Sequence, residues 1–309
     1  MERILVLGSQ GFIGRNLTQE LKQKKFSVYG YDKISLELVV EHEKPKYIHG
    51  DFTNEHDFEC ILTKNKIDTI YHLISTTIPS ESTDNIIDEI KDNVFPTIRL
   101  LDTLRKLSNI KLIFISSGGT VYGESLCYPH KPDDRLHPIC SYGIQKSLIE
   151  NYINLYNNFY DISYNIVRIS NAYGVELQKE KMQGIIPIFI NKLICNEPIT
   201  LYGDSKRDYI YIDDVIEALI KIGDYTGEKK AFNVGSGVSF STSQVIKMIE
   251  DAIGKQFQDI IKLPKRACDV NENVLDITET INELDWNPEY NMKAGIDDLI
   301  SKLALQPPC

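Results

Sequence analysis

The chain has 309 residues, of which 42% are hydrophobic and 25% are charged, so it can form a soluble protein with one large domain or two smaller ones. Its formal net charge of -10 argues against nucleic acid as the main partner, because phosphate binding needs concentrated Lys and Arg. No apolar run approaches the roughly 18 residues of a membrane span, and the run after the start is only a strand's length, so we expect neither a membrane helix nor a signal peptide.

The first half of the chain alternates apolar runs with amphipathic stretches. The runs are apolar at both alternating positions, which predicts strands covered on both faces. Strand, helix and strand at this pitch predict parallel strands joined by crossover helices. We predict strands at 3–8, 27–32, 67–75 and 111–117, and helices at 12–25 and 90–107, with Pro96 at a kink or at a helix start.

The pattern becomes less regular after about residue 170. We predict helices at 184–195, 212–223 and 242–254, strands at 199–202, 208–212 and 230–234, and a frayed tail at 304–309. The predicted fold class is α/β: a Rossmann-type doubly wound parallel sheet with a smaller mixed α/β C-terminal lobe. The expected domains are 1–170, to which about 209–240 partly returns, and 171–309, with the cleft between them as the site.

The first predicted strand leads into a glycine-rich turn, GSQGFIG, with Gly8, Gly11 and Gly14 at G-x-x-G-x-x-G spacing. Glycines there let backbone amides and the start of the next helix approach a pyrophosphate. Asp32 ends the second predicted strand, where a carboxylate can hydrogen-bond the ribose 2′-OH and repel a 2′-phosphate. The turn therefore predicts a dinucleotide site that favours NAD over NADP, although Lys33 weakens that preference.

Three further residues in this half have competing interpretations. Asp51 and Phe52 follow a predicted third strand and could meet the adenine of a dinucleotide, but a solvated helix cap explains Asp51 equally well. His72 lies in the middle of a predicted strand, which favours a core histidine over a catalytic one.

Tyr142 and Lys146, in SYGIQKSLIE, are four residues apart and so share one helix face. Tyrosine has an ordinary pKa of about 10 and is a poor base at neutral pH. A cation one turn away is expected to stabilise the phenolate and lower that pKa. A surface Tyr and Lys at helical spacing is the simpler alternative, which the glycine turn upstream disfavours.

The motifs GSQGFIG, SSGGTVYG, SYGIQK, RISNAYG and RDYIYIDDV follow one another in this order. Together they resemble the extended short-chain dehydrogenase/reductase family, and within it the nucleotide-sugar epimerases of the UDP-glucose 4-epimerase-like branch. The resemblance runs from Gly8 to the LDWNP stretch at 284–288.

The resemblance implies NAD as the cofactor and transient oxidation at the sugar C4. Tyr142 would take the proton of the 4-hydroxyl, and Lys146 would bind the nicotinamide ribose and tune Tyr142. The implied cofactor residues are Gly8, Gln10, Gly11, Phe12, Ile13, Gly14, Asp32, Asp51, Phe52, Leu73, Asn93, Ser116, Tyr142 and Lys146. The implied substrate residues are Thr120, Asn171, Ile185, Arg207, Arg266 and Asn273, with the two arginines on the diphosphate.

Two departures from the family pattern affect these roles. Many members of the branch have Ser or Thr where this chain has Gly118, and that hydroxyl bonds the substrate O4 and relays its proton to the tyrosine. We expect Thr120 to replace it, with Ser117 as the alternative, unless Tyr142 acts on O4 directly. Asn273 stands where related enzymes place a residue against the sugar, and its intermediate size permits a 2-N-acetyl sugar. The stretch 175–184 is expected to shape the same cleft.

The resemblance favours a 4-epimerase of a UDP-hexose or UDP-N-acetylhexosamine. One alternative is a reductase of a nucleotide-linked 4-keto-6-deoxyhexose, for which NAD(P)H is a consumed substrate. Another is a catalytically weak nucleotide-binding protein. A 4,6-dehydratase is disfavoured, because Gly119 and Thr120 stand where that reaction needs an Asp-Glu pair. A dTDP-sugar is an alternative substrate.

The resemblance further implies a homodimer and a role in polysaccharide supply. The six cysteines are scattered without a C-x-x-C pair, which predicts reduced cytoplasmic thiols and no metal site.

Overall fold

A computed structural model describes residues 2–40, 42–54, 57–77, 85–107, 109–125, 127–175 and 184–304. The strands are β1 (Arg3–Leu7), β2 (Ser27–Asp32), β3 (Tyr47–His49), β4 (Thr69–His72), β5 (Lys111–Ser117), β6 (Ser163–Ile169), β7 (Asn171–Tyr173), β8 (Ile199–Tyr202), β9 (Lys206–Tyr211), β10 (Ala231–Val234), β11 (Ser239–Ser241), β12 (Ile260–Leu263) and β13 (Glu272–Asn273). The α-helices are α1 (Phe12–Gln23), α2 (Phe58–Asn65), α3 (Ile86–Leu104), α4 (Ser141–Tyr160), α5 (Ile185–Ile194), α6 (Ile212–Asp224), α7 (Thr242–Ile253), α8 (Thr278–Leu284) and α9 (Met292–Ala304). Within these described ranges, no helix is both long and apolar enough to cross a membrane.

Seven parallel strands form the central sheet, in the order β10-β6-β5-β4-β1-β2-β3. The chain builds outward from β1 through β2 to β3 and then returns to the other side of β1 with β4. This reversal leaves a crevice outside the carboxyl ends of β1 and β4, which is where doubly wound sheets bind ligands. The Rossmann-type fold class is confirmed.

Alternating side chains cover the sheet on both faces. Along β1, Ile4 and Val6 join one apolar cluster, whereas Leu5 and Leu7 join the other. This follows from the two-residue period of a strand and explains why its sequence is apolar at every position. Helices α1 and α6 pack against each other, as do α3 and α4.

The smaller lobe contains two short sheets. Strands β7, β11 and β13 pair with β9, and β8 pairs with β12. The expected division at 1–170 and 171–309 stays a prediction. Strand β10 pairs with β6 in the central sheet. This agrees with the expectation that part of 209–240 belongs with the first domain.

Most predicted elements appear within a few residues of their expected bounds, and the clearest difference is in the long helix before β5. It begins at Ile86 rather than at residue 90, and Pro96 lies inside it rather than at its start. The short strands β7, β11 and β13 were not predicted, because pairing with β9 rather than their own composition makes them strands. Most of the 175–184 stretch and the 304–309 tail lie outside the described residues.

Candidate active site

The turn between β1 and α1 is shaped by its glycines. Gly8 has a positive φ of 85°, and Gly11 donates its backbone N–H to the Gly8 carbonyl at 3.1 Å. A Cβ on Gly14 would lie 2.1 Å from that carbonyl oxygen, so α1 can start this close to β1 only with glycine there. No described side chain caps the N-terminus of α1, so its backbone amides can bind an anionic group.

Asp32 ends β2 beside this turn. Its carboxylate accepts hydrogen bonds from the backbone N–H groups of Gln10 at 2.9 Å and Ile34 at 3.3 Å. The Gln10 side chain donates to Glu43 at 3.0 Å. A carboxylate fixed at this strand end is suited to recognise the ribose hydroxyls of a dinucleotide.

A cavity of about 390 Å³ opens over the carboxyl ends of the parallel strands. We call it the larger cavity. Its lining residues are Gly8, Gln10, Gly11, Phe12, Ile13, Gly14, Asp32, Lys33, Ile34, Leu73, Ser75, Thr77, Ile115, Ser116, Ser117, Tyr142, Lys146, Ile169, Ser170 and Ala172. Every residue that the resemblance assigns to the cofactor is in this set except Asp51, Phe52 and Asn93.

Asp51 and Phe52 lie outside the lining of the larger cavity. Phe52 is 4% exposed, and its ring packs 5.6 Å from that of Phe58 and 5.0 Å from that of His72. The Asp51 carboxylate accepts hydrogen bonds from the backbone N–H and the hydroxyl of Thr53, at 3.0 and 2.9 Å. The Phe52 ring thus packs in the core and Asp51 stabilises a local turn, and their contact with an adenine stays a prediction. His72 lies in the core, as the strand pattern predicted.

Asn93 lies one layer behind the larger cavity. Its side-chain oxygen accepts the Thr76 N–H at 2.9 Å, and its amide donates to Thr76 Oγ1 at 2.9 Å and to Gln145 Oε1 at 3.2 Å. Asn93 thus holds the loop after β4 against α4, and its role at the cofactor stays a prediction.

Tyr142 and Lys146 share one face of α4 at the wall of the larger cavity. Lys146 is 5% exposed, donates to the Ile115 carbonyl at 2.8 Å and has its Nζ 5.7 Å from the centroid of the Tyr142 ring. Burial raises the pKa of Tyr142 to about 12, and hydrogen bonds with Ser117 and Ser75 offset part of this rise. Burial also lowers the pKa of Lys146 to about 8. The expectation of a lowered tyrosine pKa is wrong for the protein's own residues, because desolvation outweighs the other influences.

A second cavity of about 120 Å³ adjoins the first, and we call it the smaller cavity. It is lined by Ser117, Gly119, Thr120, Ile139, Cys140, Ser170, Asn171, Arg207, Cys268, Asp269 and Val270. Ser117 and Ser170 line both cavities. Among the expected substrate residues, Thr120, Asn171 and Arg207 meet here.

The polar groups of the smaller cavity differ in how they are held. The Asn171 amide donates to the Asp208 carbonyl at 3.0 Å, and the Arg207 guanidinium lies 3.6 Å from the Asp269 carboxylate. The Thr120 hydroxyl is buried and has no hydrogen-bond partner among the described residues. A buried hydroxyl of this kind is available to a ligand in the cavity.

Ser117 and Thr120 divide the roles that were expected of one hydroxyl. Ser117 hydrogen-bonds Tyr142, whereas Thr120 lines only the smaller of the two cavities. The structure thus shows Ser117, rather than Thr120, in contact with Tyr142.

A Cβ on Gly118 would lie 2.6 Å from Leu275 Cδ1 and 3.0 Å from the Arg168 carbonyl oxygen, so a side chain there would point into packed atoms.

Ile185, Arg266 and Asn273 lie outside the lining of both cavities. Arg266 stacks over the Tyr202 ring at 3.9 Å, and Ile185 opens α5 and packs against the apolar core. Asn273 is 1% exposed and donates to the Gly118 carbonyl at 2.9 Å. Asn273 thus supports the loop after β5 from β13, which is paired with β9, and its contact with a sugar stays a prediction.

Residues 4–235 match the model of the NAD dependent epimerase/dehydratase family. The chain belongs to this family. It is 34% identical to the dTDP-4-dehydro-6-deoxyglucose reductase of Escherichia coli, over 97% of each chain. It is 30% identical to the UDP-glucose 4-epimerase of Mycolicibacterium smegmatis, over 95% of this chain and 96% of that one. A structure of the Thermotoga maritima UDP-glucose 4-epimerase with UDP-glucose superposes with a TM-score of 0.89, at 27% identity and over 98% of each chain.

Membership of the NAD dependent epimerase/dehydratase family confirms the resemblance and identifies an enzyme of the extended short-chain dehydrogenase/reductase kind. NAD is the cofactor. The larger cavity fits it, because it combines a turn that excludes a Cβ at Gly14, an uncapped start of α1 and the carboxylate of Asp32.

Three residues around the family's Tyr and Lys positions were missed by sequence reasoning. Ser75 hydrogen-bonds Tyr142 from the loop after β4. Glu89, 5% exposed, accepts hydrogen bonds from Ser141 at 2.7 Å and Gln145 at 2.6 Å and so ties α3 to the start of α4. A hydroxyl residue shortly after a parallel strand, which ends at His72, was the available signal for Ser75, whereas no pattern marks Glu89 or Gln145.

Proposed function

We propose that the protein is an NAD-dependent 4-epimerase of a nucleotide-activated sugar, either a UDP-hexose or a UDP-N-acetylhexosamine. The observation that carries this proposal is the position of Ser117. Its side chain hydrogen-bonds Tyr142 and lines both the larger cavity, which fits a dinucleotide, and the smaller cavity, which holds Arg207.

The residues of the larger cavity would hold the cofactor. The glycine turn and the start of α1 would receive the pyrophosphate, and Asp32 would receive the adenine ribose. The other residues that we assign to NAD are Gln10, Phe12, Ile13, Leu73, Ser116, Tyr142 and Lys146. When bound, NAD supplies the acceptor and then the donor of the hydride at the sugar C4.

The proton of the sugar 4-hydroxyl would pass to Tyr142, with Ser117 beside both groups. Lys146, with a pKa of about 8, stays mostly protonated at pH 7 and can stabilise the phenolate. Tyr142 would later return the proton to the oxygen at C4. Loss of such a general base typically lowers turnover by about 10²- to 10⁴-fold, so Tyr142→Phe should be nearly inactive.

The sugar and diphosphate part of the substrate would lie at the smaller cavity, whose volume of about 120 Å³ is too small for a whole nucleotide-sugar. Arg207 is suited to the diphosphate because a guanidinium binds phosphate oxygens in pairs. Thr120 and Asn171 would meet the sugar or the phosphates. Ile185, Arg266 and Asn273 are given no substrate contact in this proposal.

A reductase of a nucleotide-linked 4-keto-6-deoxyhexose is the second candidate. It is favoured by the Escherichia coli relative, whose name describes that reaction on a dTDP-sugar. The same Tyr142 would then deliver a proton to O4, and NAD(P)H would be consumed.

One experiment separates the two candidates. The purified protein is incubated with UDP-glucose, UDP-N-acetylglucosamine or dTDP-4-keto-6-deoxyglucose, with and without NAD(P)H, and products are resolved by NMR. Interconversion of C4 epimers without net NADH formation supports the epimerase. Stoichiometric loss of NAD(P)H on the keto sugar instead identifies the reductase, and no conversion of any sugar leaves a nucleotide-binding protein.

We also infer a homodimer. Helices α3 and α4 pack together and leave large apolar side chains exposed, with Phe95 54%, Ile144 53% and Phe159 72% exposed. A patch of this kind on neighbouring helices is suited to association with a second copy.

A further inference from the structure

The Tyr142 hydroxyl has two serine partners, and they come from different parts of the sheet edge. Ser117 is the last residue of β5, whereas Ser75 lies in the loop that follows β4. Ser117 lines both cavities, but Ser75 lines the larger cavity alone. A substrate in the smaller cavity can therefore compete for Ser117 and leaves Ser75 on the tyrosine.

The loop that carries Ser75 is fixed to the helix that carries Tyr142. Thr76 is held by two hydrogen bonds to Asn93, each 2.9 Å long. Asn93 donates to Gln145 on α4, and Gln145 donates to the buried carboxylate of Glu89. These hydrogen bonds run from the exposed loop, through part-buried contacts at Thr76, to buried ones between α3 and α4, so they fix the loop that carries Ser75 relative to the helix that carries Tyr142.

The Ser75 hydroxyl can serve both protonation states of Tyr142. It donates to the Thr77 carbonyl at 3.0 Å, which leaves its oxygen to accept the proton of neutral Tyr142. A hydroxyl has one donor and two acceptor sites and rotates freely about its C–O bond. When Tyr142 is a phenolate, Ser75 can turn from the Thr77 carbonyl and donate to the phenolate oxygen instead.

We propose that Ser75 is a positioning residue for Tyr142, which holds the phenol oxygen in place and stabilises the phenolate while Ser117 serves the substrate. This inference rests on the proposed role of Tyr142 as the base.

The test compares Ser75→Ala with Ser75→Thr, which keeps a hydroxyl. The matched control is Ser301→Ala, which removes an exposed serine hydroxyl that donates to a carbonyl of its own helix at 2.8 Å. The protein is labelled with [¹³Cζ]-tyrosine, and the Tyr142 resonance is assigned by its absence in Tyr142→Phe. This readout needs no substrate.

We expect Ser75→Ala to move the Tyr142 resonance and to lower kcat by about tenfold or more, with KM changed by less than about twofold, because a hydrogen bond to a charged state is lost. Ser75→Thr should restore both, and Ser301→Ala should change neither. An unmoved resonance in Ser75→Ala overturns the proposal, and so does a raised KM with unchanged kcat, which would make Ser75 a binding contact only. If the wild-type protein converts none of the sugars, the proposed function fails, while the resonance still decides whether Ser75 holds Tyr142.

Discussion

A hydroxyl side chain placed at position 118 should destabilise this protein. A Cβ on Gly118 would lie 2.6 Å from Leu275 Cδ1, and Leu275 is fully buried. The backbone cannot shift easily, because the Gly118 N–H donates to the Ile169 carbonyl at 2.8 Å and the Gly118 carbonyl accepts from Asn273 at 2.9 Å. Overpacking of this kind typically costs about 1–3 kcal/mol, so Gly118→Ser should lower the free energy of unfolding by that amount.

Gly119 provides the matched control. A Cβ there would have its nearest neighbour, the Asn171 amide nitrogen, at 3.7 Å, which is ordinary van der Waals contact. Gly119→Ser should therefore change the free energy of unfolding by less than about 0.5 kcal/mol. Urea unfolding can be followed by the fluorescence of Trp286, the single tryptophan, which is 1% exposed.

A double-mutant cycle identifies the cause of the destabilisation. Leu275→Ala alone should cost about 2–5 kcal/mol, but it also removes the Leu275 methyl groups that a Cβ at position 118 would meet and leaves only the Arg168 carbonyl oxygen, at 3.0 Å. The penalty of Gly118→Ser should therefore shrink by at least about 1 kcal/mol in the Leu275→Ala background. Equal urea midpoints for Gly118→Ser and Gly119→Ser, or an unchanged penalty in the Leu275→Ala background, would refute the steric argument.

Three other predictions follow from the site and the surface. Burial lowers the pKa of Lys146 from 10.5 to about 8, so the charged side chain destabilises the folded state below pH 8. Lys146→Met should therefore raise the free energy of unfolding at pH 7 by about 1–3 kcal/mol. This gain should shrink as the pH rises from 8 to 10.5, which urea titrations at each pH would measure. Asp32→Ser removes the charge that repels a 2′-phosphate, so the ratio of the NADP and NAD dissociation constants should fall by about tenfold in calorimetric titrations, and an unchanged ratio would assign the selectivity elsewhere. Phe159→Glu should convert a dimer to a monomer in light scattering, and a dimer that persists would place the interface away from α4.

The sequence predicted the parts of this site that depend on local rules. Glycine spacing after an apolar strand indicated the turn at Gly8 and Gly14, because the close approach of α1 to β1 excludes a side chain there. The four-residue spacing of Tyr142 and Lys146 placed both on one helix face, because that follows from helical geometry.

Side-chain direction after a strand or within a loop could not be predicted in the same way. Phe52 and Arg266 were expected at ligands, but one packs into the core and the other stacks on Tyr202. Either direction is compatible with the local sequence, and the neighbours that decide it come from distant parts of the chain. Ser75 was missed for the same reason, because only the assembled sheet brings the end of β4 beside α4.

Two serine hydroxyls reach Tyr142 in this chain although position 118 is a glycine. At the observed backbone, a side chain at position 118 would point toward Leu275 and the Arg168 carbonyl. Gly118 and Leu275 therefore form a matched pair, since a larger residue at one position requires a smaller residue at the other. With position 118 closed, Ser117 contacts Tyr142 from β5, Ser75 contacts it from the loop after β4, and the Thr120 hydroxyl stays available in the smaller cavity. A relative that carries Ser or Thr at position 118 should accordingly have a smaller side chain than leucine at the position of Leu275, or a displaced loop after β5.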